Sequence, residues 1–390
     1  MSFYAFQPGG PGVPAGSGTG VFIGSLVNLL QGPAASEALR NGLRVHWLQP
    51  AGRRRAGLLG EWRAAAGWLS SELGRLLRDR SRDLLFVYPK LPVLAHVSQP
   101  QMIALAHQAY RALGLKSRLT RQRIWVLVED LPIELSEGRA KTGAPRSEMP
   151  VNRIRSIERT LFTSAHRLIV PEGFADPIRK LHGVPTERLR TFRRNIYLPT
   201  VSEDRQAELD FPEGEVNFFY SGSIDTTVAP NFREVLKSIR NAPGTRLHVC
   251  GGGRDSVQQW FSELDVPNAR HYGQLGVAAH DRLAQRCDIG LILYPTDNPY
   301  NHLTPTMKYS AYLANGLAVL TTDLASVTKN VQRDRVGRAL PIAELSLELL
   351  RWATRPGLWA DFKAHALEQS ALVRSGDDMK EWIEEIGGRP

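Results

Sequence analysis

The residues best suited to chemistry lie between Tyr294 and Gly316. A strand closes at Tyr294, and a loop leads to Thr304 and Pro305, which read as an N-cap followed by proline at the first helical position. The pattern predicts a helix from there to Gly316. Its first turn, passing Thr306, would present unpaired N–H groups and the positive end of a dipole to an anion. Lys308, one turn in, would add a point charge. An ammonium beside an amide-lined turn suits a departing diphosphate whose charge grows as a bond breaks.

Two further loops have the same character. The strand read at 216–220 ends in Ser221, Gly222 and Ser223, and that at 246–250 ends in Gly251, Gly252, Gly253 and Arg254. Residues without bulk let a backbone approach a ligand closely, and Arg254 is a candidate contact for a phosphate or a base. In the N-terminal half, the apolar strand at 124–128 ends in Glu129 and Asp130. A base that takes a hydroxyl proton has to stand at such an end; Asp130 is the first candidate, with Glu129 and Glu134 behind it. Each feature also has a plain structural reading, as an ordinary capped helix, a surface arginine or an aspartate capping a turn.

Other chemistries fit less well. The glycine-rich segment 8–20, with Gly10 and Gly18, lacks the G-x-G-x-x-G spacing, and no acidic residue follows the second strand, so a dinucleotide site is rejected. That loop reads instead as backbone on the acceptor side. Asp281, Asp288 and Asp297 are scattered, and Cys250 and Cys287 are the only cysteines, which gives no metal-ligand spacing and no disulfide framework. No metal and no cofactor is expected. No nucleic-acid-binding motif is present either.

The elements that must hold these residues form two series. Short β-rich runs alternate with helical patterns through both halves of the 390-residue chain, the signature of two α/β domains with parallel sheets. Strands are read at 3–7, 44–48, 84–88, 124–128 and 167–170, then at 216–220, 246–250, 270–272, 289–293 and 318–321. Helices are read at 21–41, 101–113 and 151–164. The domains expected are 1–198 for the acceptor and 199–350 for the donor, with helices of 351–390 crossing back to the first. Segment 137–150 reads as a mobile loop. No stretch is long and apolar enough for a membrane span, and nothing at the N-terminus reads as a secretory signal. The expected location is the cytoplasm.

Charge is uneven. Residues 1–200 hold 29 Lys and Arg against 14 Asp and Glu, a net +15, and the remainder 20 against 25, a net −5. The N-terminal half therefore favours an anionic partner. Arg53, Arg54 and Arg55, ahead of Leu58, Leu59, Trp62, Trp68 and Leu69, fit peripheral docking on an anionic membrane at its inner face.

Taken together, these residues resemble the two-Rossmann-domain (GT-B) glycosyltransferases, in which two parallel-sheet domains face each other across a cleft. The likeness is most specific from Asp288 to Asp323, where Pro305, Lys308, Tyr312, Leu313, Ala314, Gly316 and Val319 are similar to the donor segment of bacterial family-4-like enzymes. The Glu158 helix and the strand end at Glu129 and Asp130 are similar to bacterial glucosyl- and galactofuranosyltransferases of surface-glycan and adhesin glycosylation. The resemblance implies metal-independent transfer from a nucleotide-sugar, UDP favoured, to a glycan, lipid-linked or protein-linked acceptor. One departure stands out: the two glutamates of the family's E-x7-E pair are Leu303 and Ala311 here, which removes the carboxylate contact to the ribose. An inactive scaffold or binding subunit of a glycosylation complex is the alternative, and a sugar-nucleotide epimerase a further one.

Overall fold

The computed structural model describes residues 1–6, 18–31, 35, 37–48, 74–88, 100–131, 134, 151–198, 211, 214–224, 228–251 and 254–387. The chain divides into two compact units. One comprises Met1–Glu137, Arg146–Phe192 and Met379–Pro390, the other Gly138–Pro145 and Arg193–Asp378.

The first unit runs β1 (Ser2–Phe6), α1 (Gly18–Gln31), α2 (Glu37–Gly42), β2 (Arg44–Leu48), α3 (Gly74–Arg78), β3 (Asp83–Tyr88), α4 (Pro100–Thr120), β4 (Arg123–Val128), α5 (Val151–Ser164), β5 (Arg167–Pro171), α6 (Ala175–His182) and β6 (Leu189–Phe192). Its six parallel strands lie in the order β2-β1-β3-β4-β5-β6. Strand β3 is buried at every residue and β4 at all but its first, as strands covered by helices on both faces must be. The last helix of the chain, Lys380–Gly387, belongs here: Glu385 accepts from Arg167 Nε at 2.7 Å and from Arg190 Nε at 2.5 Å.

The second unit runs β7 (Val216–Ser221), α7 (Ala229–Arg240), β8 (Thr245–Cys250), α8 (Arg254–Glu263), β9 (Ala269–His271), α9 (Val277–Gln285), β10 (Ile289–Ile292), α10 (Met307–Ala314), β11 (Ala318–Thr322), α11 (Ala325–Asp334), β12 (Gly337–Leu340), α12 (Ile342–Thr354) and α13 (Gly357–Arg374). Its sheet, also parallel throughout, is ordered β12-β11-β10-β7-β8-β9. Phe218 and Tyr220 of β7, Phe232 and Val235 of α7 and Trp352 of α12 meet in one buried cluster, where each large side chain contributes roughly 2 kcal/mol by leaving water. The order reverses between β7 and β10. In open α/β sheets that reversal opens a crevice at the carboxyl ends of the strands, where ligands bind.

The structure departs from the sequence reading at several elements. Segment 21–41 holds two helices, Gly18–Gln31 and Glu37–Gly42, where one was read. Gly18 is the first residue of α1 and not part of a loop. Strands β6 and β12 were not read. Both lie at sheet edges, where a strand needs no apolar run. Gly10, Gly252 and the segments 53–69 and 137–150 lie outside the described residues.

Candidate functional site

The helix over 307–314 starts two residues later than the sequence suggests. Thr306, not Thr304, is its N-cap: its backbone is extended at φ −62° and ψ 139°, and its hydroxyl accepts from the Lys308 amide at 3.2 Å. Pro305 precedes the helix, and its carbonyl accepts from Asn195 Nδ2 at 2.7 Å. That tertiary bond draws Thr304 and Pro305 out of helical register. The chemistry expected of the first turn is unchanged, because Lys308 moves from one turn in to the second helical position.

From there its side chain reaches back over the sheet. Lys308 Nζ donates to Tyr294 Oη at 2.8 Å, and lies 4.4 Å from the centre of the Tyr294 ring and 5.5 Å from that of Tyr220. Two ring faces and a phenol oxygen hold one ammonium. A methyl group added at Gly222 would stand 2.6 Å from Nζ, so the ammonium would have to move to admit it. Gly222 also has φ +128°, a region for which glycine alone is suited. One strand over, a methyl group at Gly251 would stand 2.0 Å from the Gly222 carbonyl oxygen. The ends of β7 and β8 thus press main chain against main chain beside the ammonium.

The surrounding bonds fix these positions. The Gly222 amide donates to Cys250 O at 2.9 Å and the Gly251 amide to Gly273 O at 2.8 Å. Tyr312, fully buried on α10, donates to Leu291 O at 3.0 Å and accepts from the Ser221 amide at 3.2 Å, tying α10 to the ends of β7 and β10. Its ring lies against Gly290, where a methyl group would stand 2.4 Å away. Tyr294 is held through its carbonyl, which accepts from Thr322 Oγ1 at 2.7 Å. Burial pushes the Cys250 thiol up to about 12, although the Lys308 charge works in the opposite sense.

A strap behind α10 was not visible in the sequence. Arg193 and Arg194 both reach Asp334, at 3.1 and 3.4 Å, and Asp378, at 2.9 and 2.5 Å. Tyr309 of α10 donates to Asp334 Oδ2 at 2.8 Å. At the other end of α10, Arg374 Nε donates to Ala314 O at 3.0 Å. The only hint in the sequence was a basic pair beside the interdomain break.

The other candidates fall elsewhere. Ser223 follows Gly222 and is exposed, with its carbonyl accepting from Tyr220 Oη at 3.2 Å. Arg254 opens α8. His302 clamps a loop: Nε2 meets Thr296 O at 2.7 Å and Nδ1 accepts from the Ala325 amide at 3.1 Å, which assigns the neutral Nε2–H tautomer. Glu129 and Asp130 stand at the end of β4 in the first unit, both partly buried. Glu134 is held by Arg155, which also reaches Glu158 at 3.3 Å. Glu158 is wholly buried and accepts from Tyr88 Oη at 3.0 Å. Among the described residues no His, Cys, Asp and Glu side chains group to hold a metal ion.

No protein-family model matches the sequence, and no curated protein matches it. Solved structures do share its architecture. Sucrose-phosphate synthase from Thermosynechococcus elongatus superposes with TM-score 0.63 at 13% identity, over 99% of this chain and 97% of its own. The fold is GT-B. A second GT-B structure, Anabaena HepE in complex with UDP-glucose, matches with TM-score 0.58 at 12% identity, over 99% of this chain and 98% of its own. A putative UDP-N-acetylglucosamine 2-epimerase from Listeria monocytogenes matches with TM-score 0.52 at 10% identity, over 94% and 90%. The GT-B fold carries more than one reaction, so the reaction has to be argued from the side chains.

Proposed function

We propose that the protein is a glycosyltransferase that moves a sugar from a UDP-sugar to a hydroxyl of a glycan, lipid-linked or protein-linked acceptor. One observation carries the reading: at the strand-order reversal of the second sheet, the Lys308 ammonium, the start of α10 and the side-chain-free ends of β7 and β8 converge. That is a seat for a diphosphate. In the reaction the bond from the sugar's anomeric carbon to the diphosphate oxygen breaks and a bond to the acceptor oxygen forms. The acceptor proton passes to a carboxylate, for which Asp130 and then Glu129 are the candidates. Charge on the leaving diphosphate is met by Lys308 and the helix amides, with no cofactor and no metal ion required. Gly222, Gly251, Tyr294 and Thr306 shape the donor site with Ser223 beside it, and Gly252 and Arg254 are proposed as further donor contacts. In this reading the protein works in the cytoplasm, at the inner face of the membrane.

UDP release from UDP-sugars, with binding followed by calorimetry, tests this. Lys308→Ala should weaken UDP binding by roughly tenfold or more, the loss expected for a charge-assisted hydrogen bond. Unchanged affinity in that variant would remove the reading. Leu303 and Ala311 favour a second reading, a chain that binds the nucleotide-sugar but serves a partner. Tight UDP-sugar binding that depends on Lys308, without UDP release towards any acceptor, would select it. Conversion of the sugar without UDP release would select an epimerase.

A further inference from the structure

The first unit carries a surface that the donor site does not use. On α4, Leu115 and Leu119 are 59% and 76% exposed. They lie one turn apart and therefore on one face, which Arg111 and Arg118 share. Arg121, exposed and with φ +55°, turns the chain out of the helix beside them. The segment before β3 is lashed to this end of α4: Lys116 Nζ donates to Asp79 O at 2.5 Å and Gln122 Nε2 to Ser81 O at 2.6 Å. That brings exposed Arg80 and Arg82 alongside.

These five arginines form no ion pair with any described residue. The acids of this end are turned inward. Asp79 and Asp83 side chains are each 8% exposed, Asp79 accepting from the Ser81 amide at 2.7 Å and Asp83 from Arg123 and Trp125. Among the described residues the outer face is therefore positive around two exposed leucines.

We infer that the end of α4 and the 80–82 segment form a docking face for an anionic lipid bilayer, Leu115 and Leu119 entering the interface and the arginines meeting headgroup phosphates. Charge complementarity selects the partner, because a group of exposed arginines with no exposed acid among the described residues beside it repels a basic one and attracts phosphate. Nucleic acid would satisfy the arginines but leave the leucines without a role. The face lies where α4 feeds into β4, at the amino edge of the sheet. Glu129 and Asp130 are at the opposite edge, about 20 Å away for a six-residue strand. The inference is independent of the donor site.

Co-sedimentation with phosphatidylcholine vesicles, with and without phosphatidylglycerol, tests it on the full chain. The wild-type protein should pellet with anionic vesicles and remain in solution with neutral ones. Two double variants, Leu115→Ser with Leu119→Ser and Arg118→Ala with Arg121→Ala, should each lower vesicle affinity by roughly tenfold or more. Both change exposed side chains and should melt as the wild type does. Equal pelleting with neutral vesicles, or variants that pellet as the wild type does, would overturn the inference. So would a leucine variant with full vesicle binding beside an arginine variant that loses duplex DNA binding.

Discussion

Tyr309 on α10 gives its phenol hydrogen to Asp334 at 2.8 Å, and Asp334 is also the carboxylate that Arg193 and Arg194 approach. Arg194 is 2% exposed, so its charge is tolerated only because carboxylates surround it. Asp334→Ala should therefore lower stability by about 2 to 3 kcal/mol, because Tyr309 loses its acceptor and the arginines lose one of their two carboxylates while Asp378 remains. Tyr309→Phe should lower it by about 1 kcal/mol. Urea midpoints at constant slope measure both. Equal, small shifts would mean that the buried charge is not held by this carboxylate.

Gly222→Ala separates space from sequence. The new methyl group would press on Lys308 Nζ and hold a non-glycine residue at φ +128°. The backbone strain is worth about 1 to 3 kcal/mol. UDP binding should fall, but by less than in Lys308→Ala, because the ammonium is displaced while its charge is retained. Wild-type affinity in this variant would mean that Lys308 does not work from its position over Gly222.

Acid should weaken the second unit through His248. Burial, then Arg246, Arg270 and Arg286, lower its pKa from 6.5 to about 4, while its ring bonds Tyr272 Oη at 2.8 Å and Asn217 Oδ1 at 3.0 Å. A depressed folded value means that the unfolded chain binds the proton first as pH falls. The stabilisation is complete above about 6.5 and is lost on the way down to 4, about 3 kcal/mol in all. His248→Gln should flatten stability over that window. An imidazole resonance of His248 that titrates near 6.5 in the folded protein would refute the expectation.

Alkali acts with the opposite sign. Cys250 is raised to about 12, and Tyr309 and Tyr312 stand well above 10, all chiefly by burial. Groups with raised folded values stabilise fully below their unfolded pKa and lose that contribution as pH climbs. Stability should decline from about pH 9 upward. Thiol reagents at pH 8 should leave Cys250 and the buried Cys287 unmodified in the native protein and label both after denaturation. Rapid labelling of the native protein would contradict that burial.

The sequence made legible what periodicity and small residues encode. The alternation of strands and helices, the glycine ends of β7 and β8 and the place of Lys308 near the start of a helix follow from local pattern. What local pattern does not contain was missed. Strands 189–192 and 337–340 carry arginines because edge strands are wetted, and they leave no apolar run. Thr304 and Thr306 are equivalent as caps by residue type, and the bond from Asn195, 110 positions away, to the Pro305 carbonyl lies outside any local pattern. The pairing of Arg193 and Arg194 with Asp334 and Asp378 is equally non-local.

Where Gly222 and Gly251 touch, the floor beneath the lysine is peptide alone. Its width follows the spacing of neighbouring strands, about 4.8 Å, and not the identity of any side chain. Substitution cannot retune such a floor in small steps, because an atom added at Gly251 collides with backbone and one added at Gly222 with the lysine itself. Preference for one donor over another must therefore evolve along the rim, while the seat itself keeps a fixed gauge.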